Sequence, residues 1–276
     1  MRLDTAVIAA YLGPAGTYSE EAARAYFGES APLLPCANLE EALHALDDGS
    51  ARFAVLPVEN SSEGSITRTV DLICRPGTRI TGEVVRPVEH MLLRARAGVD
   101  GLRSVHAHPQ ALAQCRGWLS RLGDGIVQVP EASNAAAAVR AIDDPTMSAI
   151  ASARAASLHR LEIVARGIQD EPGNRTRFLV LGGPRPAATG FDRTSLALSL
   201  ANTAGALVSA LAPFARRGLS VLHIEPRPLR CKAGWEYRFY LEVEGHEAQE
   251  RVAEAIADAS VAARELVSLG SYRRAE

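Results

Sequence analysis

The sequence predicts an α/β protein in two parts: a larger, parallel-rich α/β unit, then a smaller ferredoxin-like βαββαβ unit. Three features of the chain favour this fold class. Apolar runs of strand length alternate with amphipathic helical segments through residues 1–183. Residues 184–192, rich in proline, alanine and glycine, indicate a linker. Beyond them, residues 193–276 show the element order β-α-β-β-α-β.

The composition is that of an ordinary globular protein, with 276 residues, a formal net charge of −2 and 47% hydrophobic residues. This length suits about two domains. The chain has no basic run interleaved with aromatic residues, so we expect no nucleic-acid partner. It shows neither an export signal nor an apolar stretch long enough to span a bilayer, so we expect a cytoplasmic protein without membrane association. The widely spaced cysteines predict reduced thiols: Cys36, Cys74, Cys115 and Cys231.

The first predicted elements are a strand over residues 6–12, a glycine-rich turn and a helix. Thr17 and Glu20 have the spacing of a capping box at the start of that helix. Backbone N–H groups in such a turn can hold an anion, so a carboxylate site and a plain strand–helix turn both remain open. A helix over residues 39–46 follows.

A second buried strand, over residues 53–58, ends in the polar run Glu59–Gly64. Asn60 and Glu63 have the spacing of a helix cap and its reciprocal partner. A capped helix accounts for these two residues but not for Glu59, a carboxylate at the carboxyl end of a strand. A dry cleft would raise the pKa of Glu59, which makes it a candidate general acid.

Residues 78–94 form a long extended stretch that could cross from one lobe to another. A helix then begins at Pro109, with His108 near its N-cap, and runs to Gly123. The pair His106 and His108 has no third ligand nearby, so we expect no metal. The remaining elements before the linker are strands over 126–129, 147–151 and 161–165 and helices over 135–142, capped by Ser133 or Asn134, and 153–158.

The run Asn174–Leu181 leads from a polar loop into a buried strand. Such a strand places its first side chains at the rim of a sheet, where α/β proteins bind ligands. Period-2 alternation puts Thr176 and Phe178 on one face and Arg177 on the other, so Thr176 and Arg177 need not share a pocket. A polar start to an ordinary strand is the alternative interpretation.

The unit after the linker begins with a strand over residues 195–201. It continues with a helix through 207–214 that ends at Gly218, strands over 219–224 and 237–243, a helix over 246–259 and a strand near 266–269.

Several separated motifs resemble the prephenate dehydratase family in order and spacing: residues 11–19, 57–61, 108–110 and 176–178. The second unit, with its runs 205–208 and 225–228, looks like the ACT domain of that family. The resemblance implies a two-lobed catalytic domain like the type II periplasmic binding proteins, with the active site in the cleft. It also implies conversion of prephenate to phenylpyruvate in L-phenylalanine biosynthesis, with loss of water and carbon dioxide and no cofactor.

The resemblance assigns roles residue by residue. Thr176 falls on the family's catalytic threonine, with Glu59 and Asn60 as further catalytic candidates. The implied substrate-binding residues are Thr17, Ser19, Ser61, Gln114, Glu131, Ser133, Arg177 and Phe178. The implied effector-binding residues, for phenylalanine, are Asn202, Gly205, Ala206, Leu207, Val208, Glu225 and Arg227. The resemblance further implies feedback inhibition by phenylalanine and assembly as a homodimer or homotetramer.

The chain departs from the family pattern at two positions. Ala107 stands where a hydroxyl residue often precedes His-Pro-Gln, and Pro226 replaces the serine of an effector motif, removing a hydroxyl and a backbone N–H. Two other functions compete with the dehydratase. A prephenate decarboxylase that does not aromatise its substrate would dispense with acid assistance, so Thr176 and the fused second unit argue against it. A non-enzymatic two-lobed carboxylate-binding protein predicts an export signal, which the sequence lacks.

Overall fold

In the computed structural model, which describes residues 7–123, 125–229 and 236–275, the N-terminal unit has two lobes, each built on one sheet. Its elements in chain order are β1 (Ala9–Leu12), α1 (Tyr18–Phe27), β2 (Leu33–Cys36), α2 (Leu39–Asp47), β3 (Phe53–Asn60), β4 (Gly64–Ser65), α3 (Thr67–Ile73), β5 (Ile80–Pro87), β6 (Met91–Arg94), β7 (Ser104–Ala107), α4 (Pro109–Gln114), α5 (Arg116–Leu119), a 3₁₀ turn (Ser120–Leu122), β8 (Val127–Pro130), α6 (Asn134–Arg140), β9 (Met147–Ala151), α7 (Ala153–His159), β10 (Glu162–Ala165) and β11 (Arg175–Gly182).

Each lobe's sheet receives one antiparallel strand from the chain segment that arrives from the other lobe. The first lobe has the strand order β2-β1-β3-β11-β5, with β4 paired to β3, and β11 runs antiparallel to both its neighbours. The second lobe has the order β10-β6-β9-β7-β8, and β6 runs antiparallel to β9 and β10. These sheets confirm the predicted two-lobed α/β fold.

The two interlobe crossings are hydrogen-bonded to each other. The first joins β5 to β6 and confirms that residues 78–94 pass between lobes. The second joins β10 to β11. The Val88 amide donates to the Asn174 carbonyl at 2.8 Å, and the Ile168 amide donates to the His90 carbonyl at 3.0 Å. The paired crossings therefore form the hinge at the base of the cleft.

Side-chain caps start the helices that face the cleft. The Thr17 hydroxyl accepts from the Glu20 amide, the Ser133 hydroxyl accepts from the Ala136 amide, and His108 caps the helix that begins at Pro109. These three caps confirm the predicted helix starts.

The predicted cap at Asn60 is wrong. Strand β3 continues to Asn60 because β11 pairs with it that far, with Thr176 opposite Asn60. The Asn60 Oδ1 atom accepts from the amides of Ser62 and Glu63 at 3.0 and 3.2 Å, which forms a turn into β4. Helix α3 begins only at Thr67 and has no side-chain cap.

The predicted helix from Pro109 to Gly123 is broken at Cys115. The Asp170 carboxylate, on the second crossing, accepts from the amides of Gly117 and Trp118 at 2.8 and 3.1 Å. A carboxylate at this point caps the start of a new helix, α5. Strand β2 was not predicted, because Pro35 lacks an amide donor; the strand pairs only with β1, at the sheet edge, where proline is tolerated.

The C-terminal unit has the predicted βαββαβ order: β12 (Asp192–Ser199), α8 (Ala206–Arg216), β13 (Val221–Leu229), β14 (Glu236–Glu244), α9 (Glu250–Ala262) and β15 (Glu265–Arg273). Its sheet has the antiparallel order β13-β14-β12-β15, which is the ferredoxin-like arrangement. Helix α9 starts four residues later than predicted, since His246 begins a turn instead.

The C-terminal sheet packs one face on its own helices and the other on the first lobe. Tyr240, Leu269 and Tyr272 are buried in the same apolar cluster as Leu56 and Ile73 of the first lobe. The two units therefore share a hydrophobic core, although a linker joins them in sequence. No helix in the described ranges is long and apolar enough to cross a membrane. Cys36, Cys74 and Cys115 are buried free thiols, as expected, and Cys231 lies outside the described residues.

Gly270 marks a close approach between the two units. It has φ +135°, and a Cβ atom there would lie 2.1 Å from the Ile80 carbonyl oxygen. We expect Gly270→Ala to lower the free energy of unfolding by about 3 kcal/mol, from backbone strain and overpacking together. Gly190→Ala is the matched control, because Gly190 has φ +88° but open space around its Cβ position. Gly190→Ala should lower the free energy of unfolding, measured in urea, by only about 1 kcal/mol. Equal losses in the two variants would contradict the shared-core packing.

Candidate active site

A cavity of about 500 Å³ lies between the two lobes. Its lining includes a set of neutral polar side chains: Thr17, Tyr18, Ser19, Asn60, Gln110, Gln114, Ser133, Asn134, Ser152 and Thr176. Phe178, Pro57 and Ile66 supply apolar surface. Among the described residues that line the cavity, Glu63 is the one carboxylate, and none is lysine or arginine. An anionic ligand here would therefore be held by neutral donors and backbone N–H groups.

Thr176 lies on the cleft face of β11 with its hydroxyl oriented by Asn60. Asn60 Nδ2 donates to Thr176 Oγ1 at 2.9 Å and to Asn174 Oδ1 at 2.8 Å. Because Asn60 Oδ1 already accepts from two backbone amides, its Nδ2 atom must face Thr176. The Thr176 oxygen thus accepts a hydrogen bond, and its own proton is left to donate into the cleft.

A β-bulge explains why Asn60 faces the cavity together with Pro57. The register between β3 and β11 shifts, so that Arg177 lies opposite Glu59 and Phe178 lies opposite Pro57. A bulge inserts one extra residue and breaks the period-2 alternation. Pro57 and Asn60, three residues apart, therefore share one face. The sequence alternation on β11 itself is confirmed, with Thr176 and Phe178 in the cavity and Arg177 behind the sheet.

Gln114 connects the second lobe to the hinge. Its Oε1 atom lies 2.9 Å from His90 Nε2 and accepts from Asn174 Nδ2 at 3.4 Å. His90 is 3% exposed, and burial lowers its pKa, so it is neutral at physiological pH. The Tyr18 hydroxyl lies 3.4 Å from His90 Nδ1 and donates to the Glu89 carbonyl at 2.6 Å. Tyr18, His90 and Gln114 thus form one polar wall of the cavity across both lobes.

The glycine-rich turn before α1 brings Thr17 to the cavity, and the first turn of α1 brings Ser19. The Thr17 hydroxyl lies within hydrogen-bond distance of the Pro14 and Leu12 carbonyls, at 3.0 and 3.2 Å. The Gly16 amide donates to the Glu20 carboxylate at 2.6 Å, so one donor of the proposed anion site is occupied by the protein's own side chain. Tyr18, the first residue of α1, also lines the cavity.

Four of the residues that the sequence associated with the site do not line the cavity. Glu131 contacts His106 Nδ1 at 2.8 Å and Arg140 Nη1 at 2.5 Å. Ser61 is exposed and accepts from the Arg175 amide at 2.9 Å. The other two, Glu59 and Arg177, lie behind the sheet. Ser133 does line the cavity, where it also caps α6.

Arg177 is the centre of a buried ion cluster between the first lobe and the C-terminal unit. Its guanidinium donates to Glu59 at 2.9 Å, to Glu83 at 3.1 Å and to Glu242 of β14 at 2.8 Å. Arg193 of β12 contacts Glu242 at 2.6 Å and Glu83 at 3.3 Å. The side chains of Glu83 and Glu242 are 0% exposed. Arg177 is therefore committed to this cluster and does not reach the cleft, and Glu59 is placed to neutralise it rather than to act as an acid there.

The residues assigned to effector binding are divided between two places. Asn202, Ala206 and Leu207 line a cavity of about 130 Å³ in the C-terminal unit, together with Tyr237 and Phe239. Gly205 begins α8 beside it, with φ +79°, and Val208 is 72% exposed. Glu225 and Arg227 lie on β13, where Arg227 donates to both carboxylate oxygens of Asp71 in the first lobe. Within one chain, Glu225 and Arg227 on β13 are not among the described residues that line the small cavity.

The sequence reasoning did not find Tyr18, His90 or Asn174 as site residues. His90 lies between Glu89 and Met91 in a crossing stretch that mixes charged and apolar residues, and its burial is evident only in the structure. Asn174 follows the Pro-Gly turn at the start of β11. Their convergence depends on the pairing of two crossings, Val88–His90 and Arg166–Asn174, which the local pattern does not encode.

Comparison with known proteins gives one family. The model of the family described as prephenate dehydratase matches residues 9–186. The bifunctional chorismate mutase/prephenate dehydratase of Neisseria gonorrhoeae is 41% identical over 266 residues, covering 95% of this chain and 73% of that protein. The crystal structure of an Arthrobacter aurescens prephenate dehydratase in complex with L-Phe has a TM-score of 0.89 and 34% identity, covering 97% of this chain and 90% of that one. A structure described as GqqA, a novel type of quorum quenching acylase, has a TM-score of 0.89 and 32% identity, covering 97% and 98% of the two chains.

The ion cluster predicts a specific acid sensitivity. Burial opposes ionisation of Glu242, but Arg177 and Arg193 outweigh it and lower the pKa of this carboxyl to about 2. A lowered pKa in the folded state stabilises the fold above the unfolded pKa of about 4.5, and this contribution is lost as pH falls towards 2. We expect a loss on the order of 3 kcal/mol across that window in urea unfolding.

The control for this measurement is Glu254→Gln, which removes an exposed carboxylate paired with Arg217. It should leave the pH dependence of the unfolding free energy unchanged, whereas Glu242→Gln should flatten it between pH 4.5 and 2. An unchanged slope in Glu242→Gln would show that the cluster does not hold this carboxyl ionised.

Proposed function

The chain belongs to the prephenate dehydratase family, and we propose that the interlobe cavity is the site at which it converts prephenate to phenylpyruvate. One observation carries the assignment to this cavity: Thr176 lines it and its hydroxyl oxygen accepts from Asn60, which leaves the hydroxyl proton free to donate to a ligand there. Family membership sets aside the two alternatives that the sequence left open, a non-aromatising decarboxylase and a binding protein without activity.

Prephenate has two carboxylates and a ring hydroxyl that leaves as water. Since the described lining contains no lysine or arginine, we propose that the carboxylates are held by neutral side-chain donors and by backbone N–H groups at the start of α1. Gln114, Ser133 and Ser19 are the proposed side-chain contacts. Closure of the lobes about the paired crossings would exclude bulk water and strengthen these hydrogen bonds.

The proposed reaction is an elimination in which two bonds break. The bond between the ring and its carboxylate breaks and releases carbon dioxide, its electron pair enters the ring, and the C–O bond to the hydroxyl breaks. The oxygen departs as hydroxide and becomes water by taking up a proton from solvent. Thr176 donates a hydrogen bond to this oxygen, and aromatisation of the ring drives the step, so correct orientation with modest acid assistance suffices. The position of Glu59 behind the sheet supports Thr176 rather than Glu59 in this role.

Acyl hydrolysis, the activity named for one structural relative, requires a nucleophile with an adjacent base. The Thr176 oxygen instead accepts a hydrogen bond from the Asn60 side-chain amide, and in the described residues no carboxylate or imidazole is hydrogen-bonded to it. This arrangement favours a hydrogen-bond donor over an activated nucleophile, and hence dehydration over acyl transfer.

We further propose that the C-terminal unit is an ACT-type regulatory domain that binds phenylalanine. Its small cavity has apolar and aromatic walls, formed in part by Leu207, Tyr237 and Phe239, which suit an aromatic amino acid. A second copy of the chain would bring Glu225 and Arg227 to this cavity, so we propose a homodimer or homotetramer. Phenylalanine is an inhibitor in this proposal, even though Pro226 removes one hydroxyl and one N–H. The buried free thiols fit a cytoplasmic enzyme.

We expect Thr176→Ala to lower kcat by about 10²-fold with little change in KM, because the hydrogen bond strengthens in the transition state. Thr176→Ser keeps a hydroxyl at the same place and should retain activity within about tenfold of the native chain. The measurement is phenylpyruvate formation from prephenate by the intact chain. A near-native kcat for Thr176→Ala would exclude the proposed role, and no phenylpyruvate from the native chain would exclude the function.

Asn60→Ala should lower kcat by about tenfold, because the Thr176 hydroxyl loses the donor that orients it. Glu59→Gln is the control on the adjacent residue: it keeps a hydrogen-bonding group beside Arg177 and should leave kcat within about threefold. If Glu59→Gln lost most activity and shifted the acid limb of the kcat profile, Glu59 would be the proton donor.

A further inference from the structure

Strand β14 has one face towards the small C-terminal cavity and the other towards the catalytic domain. Tyr237 and Phe239 line the cavity. Tyr240 and Glu242, on the opposite face, are 0% exposed and lie against the first lobe. Period-2 alternation produces this division. A ligand in the cavity that displaces β14 would therefore also displace the β14 side chains at the domain interface.

Glu242 connects that interface to the catalytic strand. Its Oε1 atom accepts from Arg177 Nη1 at 2.8 Å and from the Tyr240 hydroxyl at 2.6 Å. Arg177 precedes Phe178 and follows Thr176 in β11, with alternate side chains on opposite faces of the sheet. The path from the cavity to the Thr176 hydroxyl thus consists of one strand, one buried ion pair and one peptide bond.

We propose that Glu242 and Arg177 are positioning residues, through which the C-terminal domain sets the placement of Thr176 and transmits the effect of a bound aromatic amino acid. This inference rests on the proposed function, because it requires Thr176 to act in catalysis. Of the three carboxylates that hold Arg177, Glu242 is the one that comes from β14, so a movement of β14 changes the balance of forces on this buried guanidinium. Thr176 on the same strand then changes its position relative to the substrate.

A second ion pair joins the domains and provides a matched control. Arg227 of β13 donates to both oxygens of Asp71, at 2.7 and 2.8 Å. Asp71 is on α3, away from β11 and outside the cavity lining. Breaking this pair removes an interdomain contact without touching Arg177.

The test is a double-mutant cycle in the intact chain, with kcat and KM for prephenate measured with and without saturating L-phenylalanine. Glu242→Gln should lower kcat about tenfold, leave KM within about twofold and reduce inhibition at saturation to less than about twofold. In the Thr176→Ala background, Glu242→Gln should lower kcat by no more than about twofold further, since the two residues act through one hydroxyl. Asp71→Asn should leave kcat measured without phenylalanine within about twofold of native.

Tyr240→Phe is a milder second variant, which tests the inference even if Glu242→Gln does not fold. It removes the hydroxyl that donates to Glu242 but no charge, and it should lower kcat about threefold and weaken inhibition. The inference is overturned if Glu242→Gln reduces kcat by the same factor with and without Thr176, or if folded Tyr240→Phe matches the native chain in both readouts. Native activity and its loss in Thr176→Ala test the proposed function separately, so the two failures are distinguishable.

Discussion

The buried pairing of Arg177 with Glu242 joins the catalytic strand to the C-terminal domain. Transfer of a guanidinium and a carboxylate out of water is unfavourable by several kcal/mol each, and only close pairing offsets it. Here the partners come from different domains: Glu59 and Glu83 from the first lobe, Glu242 from β14. Separation of the domains would leave these charges unpaired and would expose the apolar surface around Tyr240 and Tyr272. The catalytic domain therefore depends on the C-terminal domain for a complete core.

Placement of Arg177 and Arg193 behind the sheet leaves the described lining of the cleft without lysine or arginine, and this has a chemical consequence. A cationic cleft would bind the two carboxylates of prephenate strongly in both ground and transition states, which lowers KM without accelerating the chemistry. Neutral donors such as Gln114 and Ser133 bind less strongly in an open, wet cleft and gain strength when water is excluded. Closure about the paired crossings would not require either sheet to break, since each lobe has its own sheet.

The local sequence pattern was sufficient to predict most strands, the caps of the cleft-facing helices and the βαββαβ order. Periodicity and capping depend on residues only a few positions apart. The local pattern failed where the deciding partner is distant in sequence. Helix α4 ends at Cys115 because Asp170, on the second crossing between the lobes, caps the start of α5. Asn60 does not cap a helix, because pairing with β11 extends strand β3 as far as Asn60. Glu59 was expected in the cleft because its strand seemed to end at residue 58, and a bulge places it on the opposite face.

The linker composition suggested two independent units, and the strand sequence of β14 contained the contrary signal. Residues 237–243 read Tyr-Arg-Phe-Tyr-Leu-Glu-Val, with apolar side chains on one face and two polar residues, Arg238 and Glu242, on the other. On a solvent-facing sheet those charges would be ordinary. Tyr240 between them indicates a covered face, and a carboxylate on a covered face requires a cation from elsewhere. The strand beginning at Arg175 offers that cation at Arg177, next to the threonine of the proposed mechanism. In that proposal regulation and catalysis share one strand, and the residue between Thr176 and Phe178 serves both.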